Sequence, residues 1–106
     1  MNKERRKVLE KIIANIELWK EDVWQLVSRI EDIKSEIELV KDEEEDAYDN
    51  LPEHFQEGER GDQMQSAIDS MESAVDSLDE IIGDLESLSG NSVDDIIEYL
   101  REAIEV

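Results

Sequence analysis

The sequence predicts an all-α fold: a long antiparallel helical hairpin of the coiled-coil type, with a short third helix at the C-terminal end. Three observations predict it. Apolar residues recur at alternating intervals of three and four in two long stretches, which is the pattern of a left-handed supercoil. With four glycines and one proline in 106 residues, the chain has few positions at which a helix must end. Turn-forming residues concentrate in residues 48–61, which places the chain reversal there.

The first predicted helix covers residues 3–47, because neither glycine nor proline occurs before residue 50 and either would weaken or interrupt it. At a rise of 1.5 Å per residue, this helix would be about 65 Å long. The apolar pattern weakens at the acidic run Asp42–Asp46. The predicted seam of this helix consists of Leu9, Ile12, Ile16, Trp19, Val23, Leu26, Ile30, Ile33, Ile37 and Val40.

The predicted turn covers residues 48–61. Asn50, Pro52, Gly58 and Gly61 lie in this segment, and proline lacks the backbone donor that a helix interior needs. We expect an ordered turn that contains a short helical piece.

A second helix is predicted over residues 62–89 and a third over residues 92–105. Asp62, followed three residues later by Gln65, is typical of an N-cap with its capping-box partner. The second and third helices together match the first in length, so they should pair with it antiparallel in a single domain. The predicted seam of the second helix consists of Met64, Ile68, Met71, Val75, Leu78, Ile82 and Leu85, widened by Ala67, Ala74, Ile81 and Leu88.

The turn carries a resemblance to known proteins. The residues Tyr48-Asp49-Asn50-Leu51-Pro52-Glu53, then Gln56, then Glu59-Arg60-Gly61 resemble a turn found in small acidic helical proteins of bacteria and their phages. In those proteins a helix with repeats such as Ala67-Ile68-Asp69 follows the turn, and most have no assigned activity. By charge and size, the chain is also similar to phage-encoded anti-restriction and anti-CRISPR inhibitors that imitate DNA.

The charge distribution is the feature most informative about function. Eleven Lys and Arg against 31 Asp and Glu give a net charge of −20, and no Lys or Arg occurs between Arg60 and Arg101. A rigid helix with closely spaced carboxylates carries a field like that of duplex DNA, which has one charge per roughly 1.7 Å. The predicted partner is therefore a basic nucleic-acid-binding protein, not nucleic acid itself. The predicted binding residues are Asp69, Glu72, Asp76, Asp79, Glu80 and Asp84 of the second helix, extended by Glu43, Glu44 and Glu45 of the first.

The same acidity has a second explanation. It would also keep an apolar helical bundle soluble, or reflect an acid-rich or halophilic proteome.

Several classes of function are disfavoured. The chain has no cysteine and only one histidine, His54, in the turn, so no catalytic triad is predicted and the protein is expected to be non-enzymatic. The carboxylates follow no metal-ligand spacing and no phosphate-binding glycine motif occurs, so we expect no metal site and no cofactor. The absence of cysteines and of long apolar runs favours a cytoplasmic protein of a bacterial cell or infected host, without membrane contact.

The first helix carries more apolar residues than one facing helix can cover. We therefore expect a homodimer that forms a four-helix bundle, with Trp19 and Trp24 as its anchors; coverage by the third helix is the other possibility. This surplus also supports an alternative function, a structural or assembly protein that self-associates or pairs with a partner helix. The residues outside the predicted seam are Val8, Ile13, Leu18, Trp24, Val27 and Leu39.

Overall fold

The computed structural model describes residues 1–106, and the chain is helical throughout except at its turns. Four helices follow one another: α1 (Lys3–Asp49), α2 (Glu53–Gln56), α3 (Glu59–Leu88) and α4 (Asn91–Glu105). Helices take up 91% of the residues and no strand is present, which confirms the all-α prediction. No helix is both long and apolar enough to cross a membrane.

The helix bounds differ from the predicted ones mainly at the turn. α1 extends two residues further than predicted, to Asp49, and α3 begins at Glu59 instead of residue 62. The predicted N-cap at Asp62 is therefore wrong. Its backbone N–H already donates to the carbonyl of Gly58, at 3.1 Å, because α3 has begun before this residue.

Close backbone contacts hold the turn together. The Gln56 side-chain amide donates to the carbonyl of Tyr48 at 2.9 Å, which joins the end of α2 to the end of α1. Gly61, in the first turn of α3, is buried against the backbone of Gln56. A Cβ at Gly61 would lie 2.0 Å from the Gln56 carbonyl oxygen. Glycine is therefore required at this position. The short helical piece predicted within the turn is α2.

The helices divide into two compact units. The turn unit comprises Ile30–Ile81, that is, the end of α1, the turn and most of α3. The terminal unit comprises Met1–Arg29 together with Ile82–Val106. In each unit, α1 packs against a returning helix.

The seam of α3 confirms the predicted heptad positions. Ile68, Val75 and Ile82 are buried, and the four remaining predicted positions are half-buried. The same spacing continues at both ends of the helix. Gly61, at its start, and Ser89, just beyond its end, are also buried.

The seam of α1 does not follow the predicted residues. Buried and half-buried positions again alternate at three and four, but the second residue of each repeat lies one position later than predicted. Ile13 and Val27, assigned outside the seam, are buried, whereas Leu26 is exposed. The observed seam consists of Leu9, Ile13, Ile16, Lys20, Val23, Val27, Ile30, Lys34, Ile37, Lys41, Glu44 and Tyr48.

Three lysines lie in the inward-facing row of the rotated α1. Lys20, Lys34 and Lys41 occupy seam positions, where their methylene stems cover apolar surface while their ammonium groups reach carboxylates beside the seam. Lys34 pairs with Asp79 at 2.7 Å, and Lys20 with Asp94 at 2.5 Å. A seam inferred from apolar residues alone omits lysine, so it predicts the more apolar neighbouring row instead.

The core of the terminal unit joins α1 to α4. Ile13 packs with Val93 and Ile97, and the half-buried Ile16, Leu100 and Ile104 surround them. Ser89 is buried just beyond the end of α3, and its hydroxyl donates to the carbonyl of Glu86 at 3.3 Å. The short α4 thus completes the core in place of α3.

The observed seam makes Val27 a sensitive position. Val27 is 3% exposed and Leu18, on the outer side of the same helix, is 63% exposed. Val27→Asp should lower the free energy of unfolding by about 3 kcal/mol or more, because it buries an unpaired charge. Leu18→Asp should change it by less than about 0.5 kcal/mol. Urea unfolding followed by circular dichroism measures both, and equal losses would contradict the observed rotation of α1.

Two glycines give a second matched pair. Gly61→Ala should destabilise the chain by about 1–3 kcal/mol, because the new methyl group meets the backbone of Gln56. Gly83 lies within α3 with nothing within 4 Å of an added Cβ, so Gly83→Ala should stabilise by roughly 0.5–1 kcal/mol. Thermal unfolding of both variants measures these opposite signs, and a neutral Gly61→Ala would contradict the close contact at the turn.

Candidate protein-binding surfaces

A row of carboxylates runs along α3 in the turn unit. Asp69, Glu72, Asp76 and Asp79 follow one another at intervals of three, four and three residues, and all four are exposed. This spacing keeps them on one face of the helix. We call these four residues the acidic row.

The members of the acidic row differ in their contacts. Asp79 is paired with Lys34, and Asp69 accepts a hydrogen bond from the Gln65 side chain at 3.1 Å. Glu72 and Asp76 make no ion pair. The row therefore keeps most of its negative charge.

The charge of Asp79 acts on Lys34. The hydrogen bond from Lys34 to Asp79 raises the pKa of Lys34 above its ordinary value; burial opposes this rise, and the charges of Asp79, Glu38 and Glu31 add to it. Lys34 therefore stays protonated and neutralises part of this surface.

The first helix adds carboxylates to the same side of the turn unit. Glu38 lies 3.8 Å from Lys34 and Glu45 lies 3.9 Å from Lys41. A surface cavity on this side is lined by Glu45 and Gln65, one from each helix, together with Tyr48, Asp49 and Ile68. We call this side of the turn unit, with Glu38, Glu45 and the acidic row, the charged flank.

The nine predicted binding residues do not form one patch. Glu45 and the acidic row share the charged flank, whereas Glu80 and Asp84 follow other rows of α3. Glu44 is half-buried in the seam and lines a cavity on the opposite side with Ala47 and Arg60. Glu43 precedes Glu44 and is exposed away from the row. The helical rotation of consecutive residues separates the Glu43–Glu45 run.

The opposite side of α1 is apolar and uncovered. Five large hydrophobic side chains recur on it at seven-residue intervals and are 40–52% exposed. We call them the open row. They are Ile12, Trp19, Leu26, Ile33 and Val40.

α3 carries a matching row. Ala67, Ala74, Ile81 and Leu88 also recur every seven residues and are exposed. In the turn unit, Ala47 continues the open row of α1 and Arg60 continues this row of α3, and the two line one cavity. The two apolar rows therefore lie on the same side of the turn unit, opposite the charged flank.

The two tryptophans lie on different sides of α1. Trp19 belongs to the open row, whereas Trp24 follows it by five residues, or about 140° around the helix axis. Their exposures are nearly equal, at 43% and 44%. They therefore do not share one self-association surface.

The terminal unit holds two ion pairs between α1 and α4. Arg101 lies 3.1 Å from Glu17, and Lys20 pairs with Asp94. In the turn unit, the one aromatic contact of His54 is with the ring of Phe55, and the two ring centroids are 4.1 Å apart. No group of three His, Cys, Asp or Glu side chains converges to hold a metal ion. What these surfaces offer is charge and apolar contact.

The three seam lysines are the paired residues that the apolar pattern missed. Lys20, Lys34 and Lys41 are spaced by fourteen and seven residues, in line with Ile13 and Val27. This heptad spacing of basic residues is the signal that could have identified them.

Comparison of the chain with protein-family models, with curated proteins and with solved structures finds no match. The resemblance of the turn therefore stays a prediction.

The pair formed by Lys34 and Asp79 can be tested by titration. Asp79→Asn should lower the pKa of Lys34 towards its ordinary value, because it removes the charged acceptor; Asp76→Asn, a matched control, should leave it unchanged. NMR detection of the Lys34 side chain across alkaline pH measures both. Because the folded pKa is raised, the stabilisation is complete below the unfolded value of 10.5 and is lost as pH rises through the folded value. An unchanged titration in Asp79→Asn would contradict the pair.

Proposed function

We propose that this chain is a non-catalytic acidic protein that binds the basic, nucleic-acid-binding surface of another protein and competes with DNA or RNA there. The proposed target class is a defence nuclease, as for anti-restriction and anti-CRISPR inhibitors. The acidic row of α3 is the observation that carries the proposal.

The spacing of the acidic row supports this function. Successive carboxylates follow at three or four residues, or about 5 Å along the axis at 1.5 Å per residue. One strand of duplex DNA carries a phosphate every 3.4 Å along its axis, so the linear charge density is of the same order. A helix also holds these charges in fixed relative positions, which lowers the ordering cost of binding.

The surrounding charges support it as well. The only cation of α3 is Arg60, which lines the cavity on the opposite side with Ala47, so α3 supplies no cation to the row. Lys34 and Lys41 reach the charged flank from α1 and offset only part of its charge. With a net charge of −20, the protein repels nucleic acid and is attracted towards basic grooves.

The test uses a matched pair of triple variants. Asp69→Lys/Glu72→Lys/Asp76→Lys reverses three row residues that make no ion pair between helices. The outer variant, Asp22→Lys/Asp32→Lys/Glu36→Lys, makes the same charge change on exposed residues of α1 away from the charged flank, and none of the three is paired. Displacement of fluorescent DNA from a panel of purified restriction and CRISPR nucleases measures the competition.

The wild-type protein should displace DNA from at least one nuclease, and less well as salt rises, since exposed charges are screened within about 8 Å at 0.15 M. The row variant should bind at least about tenfold more weakly, equivalent to roughly 1.4 kcal/mol, and the outer variant should keep most of the affinity. Equal losses would mean that net charge alone acts. No displacement by the wild-type protein would contradict the proposed function.

A further inference from the structure

We infer that the open row of α1 is a homodimer interface, on which a second copy of α1 packs antiparallel with the two-fold axis at Leu26. This interaction concerns the side opposite the charged flank and goes beyond partner binding by the acidic row.

The periodicity of the open row requires a helical occupant. Its five side chains repeat every seven residues along α1 and remain exposed after α1 has packed within the chain. They stand beside Leu9, Ile16, Val23, Ile30 and Ile37, which already belong to the seam. In a four-helix bundle, each helix contacts two neighbours. Each helix therefore carries two adjacent seams that share one row of residues.

The residue sequence of the open row favours a second copy. Ile12 and Val40 are equally distant from Leu26 along α1, and so are Trp19 and Ile33. An antiparallel pair centred on Leu26 therefore places Ile12 level with Val40, and Trp19 level with Ile33. The row thus meets itself with an apolar side chain at every level, as a two-fold symmetric interface requires.

Charge complementarity selects the antiparallel direction. Residues 3–11 contain five basic and two acidic side chains, whereas residues 41–49 contain six acidic and one basic. The antiparallel pair places residues 3–11 of one copy level with residues 41–49 of the other, so opposite charges face each other at both ends. A parallel pair would place the two acidic segments side by side, which is unfavourable.

The returning helix in the turn unit leaves room for such contact. Ala67 and Ala74 line the apolar side of α3 there, and small residues allow close approach of another helix. Ile81 adds a larger apolar group to the same row.

The two tryptophans provide a matched test of this interface. Trp19→Gln removes the largest side chain of the open row, while Trp24→Gln makes the same change at nearly equal exposure on another side of α1. At about 0.15 M salt, which screens the repulsion between copies, sedimentation equilibrium at tens of micromolar should give a dimer for the wild-type chain and for Trp24→Gln. Trp19→Gln should weaken the dimer at least about tenfold, since tryptophan is a frequent interface hot spot.

Cysteine cross-linking tests the direction, because the chain contains no cysteine of its own. A disulfide needs Cα atoms about 4.4–6.8 Å apart. Leu26→Cys should therefore form a linked dimer with itself, and Ile12→Cys should link to Val40→Cys in a mixture of the two variants. Leu18→Cys, on the outer side of α1, should stay unlinked.

Each remaining outcome would overturn the inference. A monomeric wild-type mass excludes the dimer, and equal effects of the two tryptophan changes place the interface elsewhere. Linking of Ile12→Cys with itself indicates parallel helices. Linking of Leu26→Cys to Leu88→Cys, but not to itself, indicates that α1 packs on α3 of the second copy. None of these measurements involves the nuclease partner. A negative result would therefore contradict the homodimer without contradicting the proposed function.

Discussion

The rotation of α1 about its own axis is the constraint on which both candidate surfaces depend. α1 carries a shared apolar row, from Leu9 to Ile37, with one further row on each side of it, and either of these two rows could face the returning chain. The seam takes the row that contains Lys20, Lys34 and Lys41. This choice brings the lysine ammonium groups to Asp94, Asp79 and the neighbouring glutamates. It also leaves the more apolar row, from Ile12 to Val40, open to solvent.

The energetic consequence is a thin core and a large exposed apolar surface. Eight hydrophobic residues are buried, whereas sixteen large hydrophobic residues are exposed. A fold that leaves more large apolar groups outside than inside would gain from covering them, as the proposed homodimer would do. The exposed ion pairs contribute little by themselves, since such pairs are worth at most about 1 kcal/mol. They join the inward-facing row of α1 to the helices that return beside it, Lys34 to α3 and Lys20 to α4.

The sequence predicts the helices and the seam of α3 well, because both follow from local periodicity. In α3 only one apolar row is continuous, so Ile68, Val75 and Ile82 had to be buried. In α1 two rows compete, and the local pattern does not decide between them; the row that faces inward is the one whose lysines meet Asp79 and Asp94 across the helices. α3 starts at Glu59 instead of Asp62, and the contact of Gly61 with Gln56 near this start joins residues that no periodic pattern relates. Adjacent acids such as Glu43, Glu44 and Glu45 were grouped by sequence, although the helix turns them to different sides.

Methyl NOE spectroscopy of the terminal unit tests the rotation of α1 most directly. Ile12 and Ile13 are neighbours of identical chemistry, yet only Ile13 belongs to the core with Val93 and Ile97. In an isotope-filtered spectrum restricted to contacts within one chain, Ile13 should show NOEs to the methyl groups of Val93 and Ile97, and Ile12 should show none. NOEs from Ile12 to Val93 and Ile97, with Ile13 silent, would contradict the account.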